Sequence, residues 1–364
     1  MRILILNWKD HHHPLAGGAE DYTFNIMKRL VRRGHTVLWY TSTYPKAPAH
    51  SFEDGIEFIR QGSYRTVHGK SKRFIRALTT SDKPDVIVDE VNTRPFNPSR
   101  WLTLDVPVVN LIHQLAREVW FYEVPLPFAL IGRYILEDHW LKSIRNHVTI
   151  TVSKSTALDL TSLGFHRVRL VFNALPDGQE WHQGPKMDPP LILYLGRLSN
   201  GKRPRDCLEA FRRIRKHIDC STVVIGAGPL LPRLRREYPE TTFLGRVPEE
   251  DKHALLTKAT IILATGTREG WNRGILEAQA HGVVPVVQNI PGLRDAVDQG
   301  GVGLVVPPRS PQRLAEAACS ILQQGGELRS LAISCQRWAS GFTYDASSKT
   351  FERVLNGTWT SIPD

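Results

Sequence analysis

An α/β chain carrying two doubly wound parallel sheets is predicted by three observations. Twelve short β-rich runs recur along the 364 residues. Most are continuous apolar segments without alternation, the pattern of strands buried on both faces. Helical patterns separate them, which implies right-handed crossovers. Twelve strands are too many for one such sheet, and they divide evenly. At roughly 150 residues per domain the length likewise suggests two cores.

In the first half the runs are RILILN (2–7), HTVLWYTS (35–42), DVIVDEV (85–91), PVVNLI (107–112), VTITVS (148–153) and VRLVFN (168–173). In the second they are LILYLG (191–196), TVVIGAG (222–228), TTFLG (241–245), TIILAT (260–265), VVPVVQN (283–289) and VGLVV (302–306). Between the halves, NALPDGQEWHQGPKMDPP (173–190) is rich in proline and glycine and has no periodicity, so it reads as a linker. That places the boundary near residue 175. The first helix is expected over GGAEDYTFNIMKRLVRRG (17–34), with Phe24, Met27 and Val31 on one face and Ile26 and Leu30 beside them. Glu20 and Asp21 suit its positive end, and Lys28, Arg29, Arg32 and Arg33 its negative end. Gly34 ends it. The tail TYDASSKTFERVLNGTW (343–359) also reads as helical.

Composition narrows the class. With 41% hydrophobic and 23% charged residues the chain is an ordinary globular protein, with no low-complexity segment. MRILILNW is too brief for a signal peptide, and VPLPFALIGRYIL is broken by two prolines and Arg133, so neither spans a bilayer. Cys207, Cys220, Cys319 and Cys335 form no CxxC pair, which argues against a disulfide framework or a zinc site and for a reducing cytoplasm. The net charge of +11 favours anionic partners such as phosphorylated ligands or acidic membranes. No nucleic-acid-binding motif accompanies it.

Three stretches carry chemistry. GTREGWNRGILEAQAHG (266–282) follows a strand and opens a helix near Asn272 to Gly274. The amides of that first turn form an anion site, and Glu269 and Glu277, eight apart, flank it as acceptors for sugar or ribose hydroxyls. The competing reading is a capped, solvated helix with two surface glutamates. In LYLGRLSNGKRP, Arg197 and Lys202 follow a strand end and could clamp a diphosphate, or simply be solvated. VVIGAGP places Gly226 and Gly228 at another strand end, where a tight turn alone can require glycine. The full GxGxxG fingerprint of a hydride-cofactor fold is missing.

Taken together, GGAE near the start, His113 in VVNLIH, TVSKS, GRLSNGKRP, IGAGP, FLGRV and above all REGWNRGILEAQAHGVVPVV resemble glycosyltransferase family 4, the retaining enzymes of glycosyl transferases group 1 with the GT-B fold. The resemblance runs in family order across almost the whole chain. It implies two Rossmann-like domains facing across a cleft: an acceptor-side domain over residues 1–175, with a C-terminal helix about 341–364 packing back on it, and a nucleotide-sugar domain over 176–340. It implies a hexose moved from a nucleotide-diphosphate sugar to a hydroxyl of a glycan, glycolipid or small acceptor, with no metal or other cofactor. Alternatives within that architecture are a nucleotide-sugar epimerase and a non-catalytic sugar-nucleotide-binding partner.

By the same resemblance Arg197 and Lys202 meet the donor diphosphate. Gly226 and the backbone near Arg246 and Val247 line the nucleotide. Glu277 takes the ribose hydroxyls and Glu269 those of the sugar. The amides of Gly274, Ile275 and Leu276 approach the distal phosphate, Gly17 and Gly18 bring backbone close to the donor, and His113 lies beside the reacting sugar. One departure stands out. Where many members read EGFG, this chain reads Glu269-Gly270-Trp271-Asn272, and Arg273 adds a charge near the phosphate site; by the resemblance Gly270, Trp271 and Asn272 still count among the donor-binding residues.

Two stretches stay outside this scheme. REVWFYEVPLPFALIGRYILEDHWLKSIRNH (117–147) interleaves aromatic and basic residues. It reads either as a surface for peripheral contact with an anionic membrane, on the inner face, or as a helical core with aromatic packing. His11, His12 and His13 lie inside the fold, so they are not a tag. No spaced histidine pair or cysteine adjoins them, so metal-site spacing is absent, and they read as acceptor-side loop or solvated residues.

Overall fold

The computed structural model describes residues 1–102, 105–176, 181, 184–298 and 301–358. Part of the linker read from the sequence (177–180, 182 and 183) and the end of the tail (359–364) lie outside the described residues. The chain divides into two compact units, Met1–Arg117 with Pro127–Ala174 and Tyr344–Asp364, and Glu118–Leu126 with Leu175–Thr343. Residues 118–126 therefore group with the second unit, although the sequence reading assigns them to the first. Glu118 is held there by an ion pair to Arg268 at 2.9 Å.

Among the described residues the first unit contains eight strands: β1 (Arg2–Leu6), β2 (Thr36–Thr41), β3 (His50–Glu53), β4 (Ile56–Arg60), β5 (Val86–Glu90), β6 (Val108–Ile112), β7 (Val148–Thr151) and β8 (Val168–Leu170). Their order is β3-β4-β2-β1-β5-β6-β7-β8. All neighbours are parallel except β3 and β4. Ile3, Leu4, Ile5 and Leu6 of β1 are all buried, as a central strand covered on both faces must be.

The sequence reading lacks β3 and β4. Their residues alternate instead of forming an apolar run, and the signal that marks them is Asp54-Gly55. Both residues have positive φ, 49° and 79°, the geometry of a two-residue hairpin turn.

Helix Gly18–Arg32 buries Tyr22, Phe24, Ile26, Met27 and Leu30. Val31, expected on the core face, is only half-buried, and Tyr22 takes the deep position, its hydroxyl donating to the Val171 carbonyl at 3.2 Å. The tail helix Tyr344–Leu355 lies against this helix. Arg33 donates to Glu352 at 3.0 Å and to Asp345 at 2.9 Å, His35 Nε2 meets Glu352 at 2.7 Å, and the Arg29 guanidinium covers the Tyr344 ring.

The second unit contains β9 (Leu191–Leu195), β10 (Ser221–Ile225), β11 (Thr242–Gly245), β12 (Ile261–Ala264), β13 (Val284–Gln288) and β14 (Leu304–Val306). They form one parallel sheet in the order β11-β10-β9-β12-β13-β14. Helix Pro204–Ile214 shows why the chain folds this way locally. Proline opens it at the first position, where no amide bond is lost, and Cys207, Leu208, Phe211 and Ile214 are buried at helical spacing. All four cysteines are free. Among the described residues no helix is long and apolar enough to cross a membrane.

Candidate functional site

In the second unit the loops at the carboxyl ends of β9 and β12 meet, where open α/β sheets hold their ligands. Thr267 N donates to the Gly201 carbonyl at 2.9 Å. The Thr265 hydroxyl donates to the carbonyls of Lys202 and Arg203 at 3.1 and 2.9 Å. These bonds set the Lys202 ammonium directly against the Glu269 carboxylate as an ion pair. Glu269 itself is buried, and its amide donates to the Pro291 carbonyl at 3.2 Å. Gly292, at φ 80°, packs on it so closely that a Cβ would fall 2.3 Å from the Glu269 carbonyl oxygen. Arg197 is exposed, and no described carboxylate pairs with it.

Four residues after Glu269, helix Arg273–Ala280 begins. The Asn272 side chain caps it, accepting from Ile275 N at 3.2 Å. The amides of Ile275 and Leu276 also reach the Asn272 carbonyl, at 3.1 and 3.4 Å. Two of the three amides expected at a phosphate thus already hold bonds within the turn. Gly274 has a packing reason to be glycine, since a Cβ there would lie 2.9 Å from the Leu195 side chain. Gly270 and Trp271 are buried, and the Trp271 ring lies 5.5 Å from that of Phe342. The aromatic residue that breaks the EGFG pattern is therefore a core residue of this unit.

Glu277, within this helix, is buried, with Lys252 Nζ at 2.8 Å and Arg273 at 3.5 Å. The charge of Arg273 is thus directed at Glu277. Lys252 also meets Glu249 at 2.6 Å. Burial alone would lower the Lys252 pKa, but the Glu277 and Glu249 carboxylates outweigh it and raise the value. Sequence reasoning missed Lys252, which sits in a helix of mixed charge and carries no motif.

Gly226 has a structural reason to be glycine. Its φ is 139°, and a Cβ would fall 2.0 Å from the Gly196 carbonyl oxygen. The turns after β9 and β10 cross there, with Gly196 N donating to Ile225 and Gly226 N to Gly245, at 3.0 and 2.7 Å. Beyond β11, Arg246 is exposed and Val247 packs on the core.

In the first unit Gly17 caps helix Gly18–Arg32, with φ −149°. Its amide donates to Glu20 at 2.7 Å, and Lys9 holds the other Glu20 oxygen at 2.9 Å. A Cβ on Gly17 would meet nothing nearer than 3.9 Å, so no packing demand explains this glycine. His113 follows β6, its Nε2 3.4 Å from Glu90 at the end of β5. Burial pushes the Glu90 carboxyl up, against the pull of His113. Tyr22 meets the His113 ring edge-on at 5.3 Å. Glu90 was not anticipated; its one trace in the sequence is a charged pair ending an otherwise apolar strand. The neighbouring Asp89 accepts from the amides of Phe96 and Asn97 and shapes the loop after β5.

Two family models match these units. One described as Glycosyltransferase Family 4 covers residues 16–177, and one described as Glycosyl transferases group 1 covers 178–337. The chain belongs to glycosyltransferase family 4, group 1. A relative of this glycosyltransferase, the glycogen synthase of Mycobacterium tuberculosis, is 29% identical over 397 residues, 97% of this chain and 94% of that one. Among solved structures, sucrose-phosphate synthase from Thermosynechococcus elongatus superposes with TM-score 0.79 at 18% identity, covering 98% of each chain. Anabaena HepE in complex with UDP and glucose does so with TM-score 0.71 at 16% identity, covering 98% of this chain and 100% of that one. The glycosyltransferase is accordingly an enzyme of GT-B fold class.

Its aromatic segment is a packed core only in part. Phe128 and Tyr134 are 65% and 61% exposed, and Leu126, Ile131 and Ile135 are exposed beside them. The core reading of this stretch fails for these side chains, while Ala129 and Leu141 do face inward.

Proposed function

We propose that this glycosyltransferase moves a hexose from a nucleotide-diphosphate sugar to a hydroxyl of a glycan, glycolipid or small-molecule acceptor, with retention of configuration and without a metal ion. The observation that carries this reading is the pairing of Lys202 with Glu269 four residues before the opening of helix Arg273–Ala280. A cation, a carboxylate and a helix N-terminus then face one small region. The complex of HepE with UDP and glucose supports a nucleotide donor.

Breaking the sugar–phosphate bond leaves negative charge on the departing diphosphate. Arg197, Lys202 and the helix terminus meet that charge as fixed, preorganised donors. Glu269 accepts from hydroxyls of the transferred sugar, and Glu277 from those of the ribose. The sugar becomes oxocarbenium-like, and attack on the same face, assisted by the leaving phosphate, retains configuration. In the first unit, His113 is assigned to the reacting sugar and the backbone of Gly17 and Gly18 to the donor. The exposed apolar side chains around Phe128, on a chain of net charge +11, favour peripheral contact with an anionic membrane from the cytoplasmic side.

A thermal-shift panel of nucleoside diphosphates and their sugars tests the donor. A ligand at 100 times its Kd adds about 2.7 kcal/mol of stability. The stabilising donor is then turned over with excess EDTA present. No stabilisation by any activated sugar, or a requirement for added magnesium, rejects the reading.

A further inference from the structure

Local spacing in the histidine run shows no metal site, but the fold brings a third ligand from another element. Glu53, at the end of edge strand β3, projects a carboxylate between two of the histidines. His12 Nε2 lies 2.7 Å and His11 Nε2 3.3 Å from the same oxygen, Glu53 Oε2. One ligand atom from each residue falls within 4.8 Å of the others. Donors about 2.0–2.2 Å from a tetrahedral zinc stand about 3.3 Å from one another, so the three atoms are already gathered at the scale of a single ion.

The loop is braced rather than free. The His11 ring stacks on Phe24 at a centroid distance of 3.7 Å and packs on the His12 ring at 3.9 Å. Both His11 ring nitrogens are buried and make no hydrogen bond of proper geometry, which is costly for an imidazole and leaves a ligand atom uncommitted. Asp10, fully buried, fixes the loop from below. It accepts from the His12 amide at 3.0 Å, from Tyr44 Oη at 3.0 Å and from Arg60 Nε at 2.7 Å. His13 is committed elsewhere. Its Nδ1 accepts from Leu15 N at 3.1 Å and its ring meets Trp8 edge-on.

We propose that His11, His12 and Glu53 bind one divalent transition ion of the zinc class, with water completing its coordination. Two imidazoles and a carboxylate suit zinc, cobalt or nickel, whereas magnesium and calcium take oxygen ligands. The ion ties the loop that leads to Gly17 and Gly18 to the sheet edge at β3. It is a structural clamp within the first unit and takes no part in the donor chemistry proposed above.

The test is calorimetric titration of Zn²⁺ into the metal-stripped full chain, with Co²⁺ absorption as a second measurement of nitrogen ligation. His12→Ala and Glu53→Gln alter exposed side chains, and an unchanged Tm of each metal-free variant verifies its fold. The expected result is one Zn²⁺ per chain, bound at least tenfold more weakly by either variant, with His13→Ala binding like wild type. Absence of a one-to-one site overturns the proposal. So does wild-type affinity in Glu53→Gln, or an equal loss in His13→Ala, since either means that the run of histidines chelates by itself. Neither readout uses a sugar donor, so the result is independent of the transferase reading.

Discussion

Lys202 and Glu269 lie 67 residues apart in the chain and form a direct ion pair in the fold. The pair holds the proposed diphosphate cation and the proposed sugar acceptor against each other. Lys202→Ala is expected to lose about 2–4 kcal/mol of transition-state stabilisation, by analogy with removing one preorganised donor. Steady-state kcat/KM for the donor measures it, and turnover within threefold of wild type excludes the role.

Gly17 separates fold from function. Nothing within 3.9 Å opposes a Cβ there, so Gly17→Ala is expected to fold, at a cost of about 1 kcal/mol for the poorer cap. If donor atoms approach this backbone, the added methyl lowers kcat/KM at least tenfold. Chemical denaturation and donor kinetics on the same preparation check both halves, and full activity removes Gly17 from the donor site.

Lys252 is paired with Glu277, the proposed ribose acceptor. Lys252→Met strips the 2.8 Å ammonium partner from a buried carboxylate and leaves Arg273 at 3.5 Å. A destabilisation on the order of 1–3 kcal/mol is expected from the uncompensated charge. With Glu277 holding the ribose as proposed, KM for the nucleotide sugar should rise while kcat changes little, because such a contact serves ground state and transition state alike. An unchanged KM in the folded variant shows that Lys252 serves stability only.

Membrane contact is tested at Phe128 and Tyr134, which are exposed and support no core. Phe128→Glu with Tyr134→Glu should abolish sedimentation with anionic vesicles at low salt and leave the Tm unchanged. A wild-type chain that fails to sediment with such vesicles excludes the membrane surface.

His68 predicts an acid limb in stability. Its ring stacks on Phe96 at 4.3 Å, and burial, with the Arg94 charge, pushes its pKa down to about 4. As pH falls below 6.5 the unfolded chain takes up a proton that the folded chain refuses until about pH 4. Stability therefore drops across that window, and His68→Gln should flatten the slope between pH 6.5 and 4.5 in urea titrations. An equal slope in the variant assigns the acid limb to other groups.

How far the sequence could be read follows from the kind of signal each part carries. Central strands such as β1 and β9 are unbroken apolar runs, because a parallel strand covered on both faces has no polar side to show. Edge strand β3 and its antiparallel neighbour β4 alternate, so no apolar run marks them and the Asp54-Gly55 turn is their signal. Motif residues were legible where they stand together, as in 269–277. Glu90, Lys252 and Glu53 were not, because each gains its meaning from a partner on another element. The glycines divide in the same way. Gly226 and Gly274 are explained by close packing, and Gly17 is not.

Unaided, the residue order determined the two α/β sheets, the family and the candidate list, since periodicity and local motifs are written within a few turns of chain. Only tertiary structure decided which charges touch. It set Lys202 on Glu269, Lys252 on Glu277, and Glu53 between His11 and His12. The physical reason is that Coulombic and coordinate contacts act over a few ångströms of space, and separation along the chain does not measure that distance.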